Sequence, residues 1–163
     1  MGDGMYYKCK KCKHEYDIHL GIGMGYPRVY RRTVEAALNG EYGEEWQQLM
    51  NRKKYMDIKA DYELYQCSCG NWYVSQDLSI YEPKDEAIIE NTQYGIKNVK
   101  EWGYVPYVMW FEREQNYRFV KSFIHKCDKC GKRMHKVDED KSEALSCPKC
   151  GTVNEPEGML NWD

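Results

Sequence analysis

Residues 127–151, CDKCGKRMHKVDEDKSEALSCPKCG, carry two Cys-x-x-Cys pairs, Cys127/Cys130 and Cys147/Cys150, each followed at once by glycine. Sixteen residues lie between the pairs, a spacing typical of four-thiolate metal sites. A two-residue gap lets both sulfurs of one tight turn converge on an ion. The glycine that follows lets the backbone turn where a side chain would crowd it. The spacing predicts one metal site built from Cys127, Cys130, Cys147 and Cys150.

Two further pairs, Cys9-Lys-Lys-Cys12 and Cys67-Ser-Cys69, complete a set of eight cysteines. Residues 13–66 between them exceed a simple metal module, so these four cysteines predict a second site interrupted by an insertion. Cys69-Gly70 keeps the turn glycine, but a one-residue gap tightens the turn, and His14 or His19 is the substitute ligand if Cys67 falls short. Surface or packing roles otherwise suffice for both histidines. The N-terminus lacks an apolar signal core, and no apolar run approaches the roughly 18 residues of a membrane span. A cytoplasmic protein without membrane contact is therefore expected, in a compartment that favours metal binding over disulfides. A dithiol redox protein is the alternative, but it would place a Cys-x-x-Cys pair at a strand-to-helix junction. Four cysteines also close a coordination shell, which predicts a structural rather than a catalytic ion.

In CDKCGKRM and CPKCGTV the chain resembles the paired knuckles of zinc ribbons, small β modules, over about residues 117–155. More broadly, YKCKKCKHEYDIHLGIGMGYPRVY, NGEYGEEW, the Cys67 knuckle and the terminal CPKCG followed by NWD resemble uncharacterised bacterial proteins with two zinc ribbons. That resemblance implies two structural Zn2+ ions, each held by four cysteines, and carries over no catalytic residue.

The expected fold class is α+β, with two zinc-ribbon β modules. The first spans residues 1–82 and holds a helical hairpin at about 23–58. Within it, Glu15 to Ile22 predicts a strand, and residues 28–39 a helix whose face is Val29, Tyr30, Thr33, Val34, Ala37 and Leu38. Pro27 suits its first turn and Asn39-Gly40 its end. Tyr42, Trp46, Leu49 and Met50 predict a second helix over about 44–54. Strands are expected at Tyr62 to Gln66 and Trp72 to Tyr81. Residues 83–103 read as a linker with a short helix near 84–90. Residues 104–163 then form the second module, opening with a hairpin of Tyr104 to Phe111 and Tyr117 to His125 joined by the polar turn Glu112 to Asn116. The acidic run 137–143 reads as a solvated turn. The glycines of HLGIGMGYPRVYRR, residues 19–32, complete neither phosphate-binding fingerprint and read as a structural corner.

Formal net charge is −2. Residues 113–136 are locally basic, with eight cations against Glu114 and Asp128, and Tyr117, Phe119 and Phe123 interleave them. Arg118, Lys121, Lys126, Lys132 and Arg133 are thus candidate nucleic-acid or partner contacts, and Arg28, Arg31 and Arg32 candidate partner contacts. A zinc ion with four thiolates carries −2, however, and lysines beside each knuckle offset it. No paired carboxylates, nucleophile motif or open histidine site points to catalysis. The expected function is a zinc-stabilised binding or adaptor protein that contacts a protein partner or a second copy. A nucleic-acid-binding regulator and a small enzyme or dithiol protein are the alternatives.

Overall fold

The computed structural model describes residues 2–90, 107–138 and 144–163. Its strands are β1 (Gly2–Lys8), β2 (Glu15–Leu20), β3 (Asp57–Ile58), β4 (Tyr62–Gln66), β5 (Trp72–Gln76), β6 (Ile80–Pro83), β7 (Tyr117–Lys121), β8 (His135–Lys136), β9 (Leu145–Ser146), β10 (Val153–Asn154) and β11 (Gly158–Trp162). The helices among the described residues are α1 (Tyr26–Leu38), α2 (Glu44–Met50), α3 (Glu86–Glu90) and α4 (Trp110–Asn116). The fold is mixed α+β, with small antiparallel sheets.

The chain forms two compact units, neither of them continuous: residues 1–24, 61–76 and 124–163 make the first, and 25–60 and 77–123 the second. Cysteine spacing alone reads as modules in sequence; the units instead alternate along the chain.

The first unit contains every cysteine. One of its sheets has the order β11-β1-β2, another β5-β4-β8, and β9 pairs with β10. Met5 sits centrally, opposite Met159 on one side and Ile18 on the other. Met5, Tyr7, Ile18, Leu64, Val137 and Leu145 form a buried cluster, with Tyr16, Leu20, Trp72 and Val74 packed around it. Alternation along β1 puts Met5 and Tyr7 inside and leaves Tyr6 and Lys8 partly exposed. Gly4 is required by crowding: a Cβ there would lie 2.4 Å from the Ile18 carbonyl oxygen. The glycine-rich corner follows β2, and Gly21 and Tyr62 exchange two backbone hydrogen bonds of 2.8 and 2.7 Å.

In the second unit α1 buries Tyr30, Thr33, Val34 and Ala37, has Pro27 in its first turn, and ends at Asn39. The predicted helix is thus present, shifted by one to two residues. Helix α2 buries Trp46 and Met50; the Trp46 indole N–H donates to the Leu78 carbonyl at 2.8 Å, and the ring meets Phe123 edge-on. The sheet has the order β3-β6-β7. Trp72 to Tyr81, expected as one strand, is divided between β5 and β6, because Leu78 adopts a positive φ of 58° and Asp77 accepts from the Ser79 backbone N–H.

The expected hairpin of 104–111 and 117–125 is corrected over its described part. Trp110–Asn116 is helix α4 rather than strand and turn, while residues 104–106 lie outside the described residues. Glu112 accepts from the Met109 N–H at 3.0 Å at the start of α4, and Lys84 caps its end by donating to the Glu114 and Gln115 carbonyls. Arg113 points inward and meets Asp57 at 2.6 Å, so the helix buries an arginine that a polar pattern reads as solvated. The Asp57 carboxylate also accepts from the Tyr30 hydroxyl at 2.7 Å, and the guanidinium lies over the Tyr81 ring. Of the sequence-defined linker, only its start and the short α3 are described; the acidic run after Asp138 also lies outside the described residues.

Candidate metal centres

The eight cysteines gather into two groups of four, but not in the predicted partnership. Cys9 and Cys12 meet Cys147 and Cys150, and Cys67 and Cys69 meet Cys127 and Cys130. The first set is outer in sequence and encloses the second. The predicted pairing of Cys127/Cys130 with Cys147/Cys150 is therefore corrected. The reason is strand pairing. β8, directly after the Cys130 turn, hydrogen-bonds to β4, directly before Cys67. At the other end, β11 pairs with β1, directly before Cys9. The Lys10 N–H donates to the buried Asn154 side chain at 2.9 Å, fastening the first knuckle to the strand after the fourth.

Within each group the ligand atoms all lie within 4.8 Å of one another. The close sulfur separations are 3.5 Å for Cys9–Cys150, 3.7 Å for Cys12–Cys147, 3.4 Å for Cys67–Cys130 and 3.7 Å for Cys69–Cys127. Four sulfurs at about 2.3 Å around a tetrahedral ion stand about 3.8 Å apart; a disulfide would bring two to about 2.05 Å. Both groups thus have the donors and dimensions to hold a metal ion.

The four knuckles share one backbone design. The N–H of Cys9, Cys127 and Cys147 donates to the carbonyl five residues on, at His14, Lys132 and Thr152, and each cysteine carbonyl accepts from the N–H four residues on. In the Cys67 knuckle both spans shorten by one, to Asn71 and Gly70. This is how a one-residue gap still delivers both sulfurs, and neither His14 nor His19 is needed as a ligand: His14 stacks on Tyr16 and His19 on Trp162.

The closing residue of each turn has positive φ: 86° at Gly70, 70° at Gly131 and 74° at Gly151, but 59° at Lys13. A side chain there costs about 1 kcal/mol or more. Lys13→Gly should therefore raise the chemical-denaturation stability of the metal-loaded protein by roughly 0.5–1 kcal/mol, whereas Gly131→Ala should lower it by about 1 kcal/mol. A destabilised Lys13→Gly variant would show that the lysine side chain matters more than the turn it strains.

Hydrogen bonds tune the sulfurs. The Cys12 backbone N–H is the main group that draws the Cys9 thiol down, to about 6. Burial pushes Cys127 up, but the Asn71 amide and the knuckle N–H groups outweigh it and bring the thiol to about 6; Asn71 donates to its sulfur at 3.4 Å and to Asp128 at 2.6 Å. Both reinforce the thiolate that a metal requires. Cys9, Cys67, Cys127 and Cys147 are buried, while Cys69 and Cys130 are exposed. Asn71 and Asn154 were not legible as site residues, since a lone asparagine near a cysteine carries no pattern.

The other candidates are divided between the two units. Arg28, Arg31, Arg32, Arg118 and Lys121 belong to the second unit, and Lys126, Lys132 and Arg133 to the first. Arg31 pairs with Glu35 at 3.3 Å, Arg118 with Glu82 at 2.6 Å, and Lys121 with Glu45. Lys126 and Arg133 face each other across an isolated backbone bridge at the third knuckle. Lys10, Lys11, Lys13, Lys126, Lys129, Lys132 and Lys149 form no carboxylate ion pair among the described residues. No Cys-x-x-Cys pair lies at a strand-to-helix junction.

No family model matches the chain, and neither curated proteins nor solved structures match it. No helix among the described residues is long and apolar enough to cross a membrane.

Proposed function

We propose that the protein is a zinc-stabilised binding or adaptor module whose two metal ions are structural and whose surface contacts a protein partner. The observation that carries this reading is the convergence of two complete four-cysteine sets at tetrahedral spacing. All-sulfur tetrahedral coordination suits Zn2+, and four protein ligands leave the ion no position for substrate. Short antiparallel strands flanking the cysteine turns support a likeness to zinc ribbons.

Cations support the same reading. Three of the candidate nucleic-acid or partner contacts already pair with carboxylates. Unpaired lysines cluster beside knuckles that carry net negative charge once zinc is bound, so local compensation accounts for them.

Metal analysis of the purified protein should give two zinc ions per chain, with all eight thiols protected from alkylation until a chelator is added. Affinity purification from the native cell, with and without nuclease, should recover a protein partner in both arms. One zinc with four freely reactive thiols would reject the two-site reading. A nuclease-sensitive partner and a salt-sensitive gel shift would instead favour nucleic-acid binding.

A further inference from the structure

In the first unit a groove of about 580 Å³ is lined by Asp17, Ile18 and His19 of β2, Tyr62 of β4, Trp72, Tyr73 and Val74 of β5, and Trp162 of β11. That volume lies within the range of ligand clefts, roughly 300–1,000 Å³. Two features bear on what it takes. First, its rings are held in place. The Trp72 indole N–H donates to the Ser146 carbonyl at 2.7 Å, that of Trp162 to the Leu20 carbonyl at 2.8 Å, and the Tyr73 hydroxyl to the Lys126 carbonyl at 3.2 Å. The polar edges of these rings are therefore committed to the protein. Second, Asp17 lines the groove without an ion-pair partner among the described residues, and no lysine or arginine lines it.

Fixed aromatic rings beside an unpaired carboxylate select a cation, and a flat one best. A guanidinium can lie against a ring and form two parallel hydrogen bonds to one carboxylate, which an ammonium cannot. The same lining is unsuited to a phosphate backbone, which would meet Asp17. The strands point to how such a cation is delivered. Among the described residues both β2 and β5 are edge strands of their sheets, each with one neighbour. Three consecutive residues of each line the groove. Because alternate side chains leave a strand on opposite faces, three consecutive lining residues mean that the strand presents its edge. Such an edge receives an extended peptide.

We propose that this groove binds an extended arginine-containing peptide segment of a protein partner, with the guanidinium against the Asp17 carboxylate and the aromatic rings. This rests on the binding-module reading above and names the partner chemistry at one site.

The test is calorimetric titration of the zinc-loaded full chain with a capped pentapeptide, Ala-Val-Arg-Val-Ala, and with versions carrying citrulline or lysine in place of arginine. Arginine peptide binding is expected with quenching of tryptophan fluorescence, at least tenfold weakening by citrulline, several-fold weakening by lysine, and at least tenfold weakening by Asp17→Asn. Asp17 is exposed and outside the buried core, so that variant should keep both metals, and metal content is measured alongside. Absence of binding, or equal affinity for the arginine and citrulline peptides, would overturn the proposal. So would lysine binding as tightly as arginine. A protein partner that is recovered from cells equally by wild type and Asp17→Asn would also overturn it, while leaving the binding-module reading in place.

Discussion

Replacing Cys9 or Cys147 with serine should release one and the same metal ion, although 138 positions separate them in the numbering. Each single variant should retain one zinc per chain, and the double variant Cys9→Ser/Cys147→Ser should retain that same one. Cys127→Ser should release the other ion, so Cys9→Ser/Cys127→Ser should hold none. The partnership follows from the two four-cysteine groups. If instead Cys127 and Cys147 shared an ion, their double variant would keep one zinc, whereas the observed arrangement predicts none. Metal counting and mass-resolved thiol alkylation distinguish the two directly: Cys147→Ser should expose Cys9, Cys12 and Cys150 and leave Cys67, Cys69, Cys127 and Cys130 protected. The structural cost should be large, because binding of a structural zinc contributes about 10–16 kcal/mol in small modules at neutral pH. Chelation should abolish the cooperative unfolding of the first unit, and zinc should restore it.

Asp57→Ala should destabilise the metal-loaded protein by about 3–5 kcal/mol, the usual cost of stranding a buried charge. Asp57 is completely buried and Arg113 is 6% exposed. The carboxylate answers both the guanidinium and the Tyr30 hydroxyl. Burial, with the Asp57 charge second, holds the Tyr30 phenol far above its ordinary range, so the phenol stays a neutral donor and supplies no alternative charge for Arg113. Tyr30→Phe removes one hydrogen bond while the ion pair remains, and should cost only about 1–2 kcal/mol. Asp57→Leu/Arg113→Met should regain most of what Asp57→Ala loses, since an apolar pair leaves no charge to satisfy. Urea denaturation measures all of these, with metal content as the control. A loss under about 1 kcal/mol for Asp57→Ala would mean that water or another carboxylate reaches Arg113.

What the sequence made legible was local. Cysteine spacing marked all four knuckles, and a following glycine marked three of them. The 3.6-residue pattern marked α1 and α2, and Pro27 and Asn39 marked the ends of α1. Partnership between knuckles was not legible, because it is decided by β4 with β8 and by β1 with β11, pairings between segments far apart in the chain. β1 hides its alternation behind two glycines, and β11, Gly-Met-Leu-Asn-Trp, is short and does not alternate. The 16-residue interval between the last two pairs matched a familiar spacing, but the chain uses it to pass from β8, beside β4, to β9, beside β10. Arg113 misled for a different reason: pattern reading assigns every arginine to solvent, and its burial rests on the distant Asp57, with the Tyr81 ring and the Val108 carbonyl beside it.

The enclosing order of the two cysteine sets also dictates a sequence of assembly. As the chain is synthesised, Cys67, Cys69, Cys127 and Cys130 are all available before Cys147 emerges, whereas Cys9 and Cys12 must wait from the outset until Cys150. The spans differ, 63 positions from Cys67 to Cys130 against 141 from Cys9 to Cys150, but doubling a flexible loop adds only about 0.6 kcal/mol of closure entropy. Order of appearance, rather than loop length, therefore favours the inner set. Once it has closed, the remaining arms, 9–67 and 130–147, are each shorter than the whole, and the outer knuckles meet as the last act of folding. During that interval two thiolates near the start of the chain stand ready for a metal with half of their coordination shell still unmade.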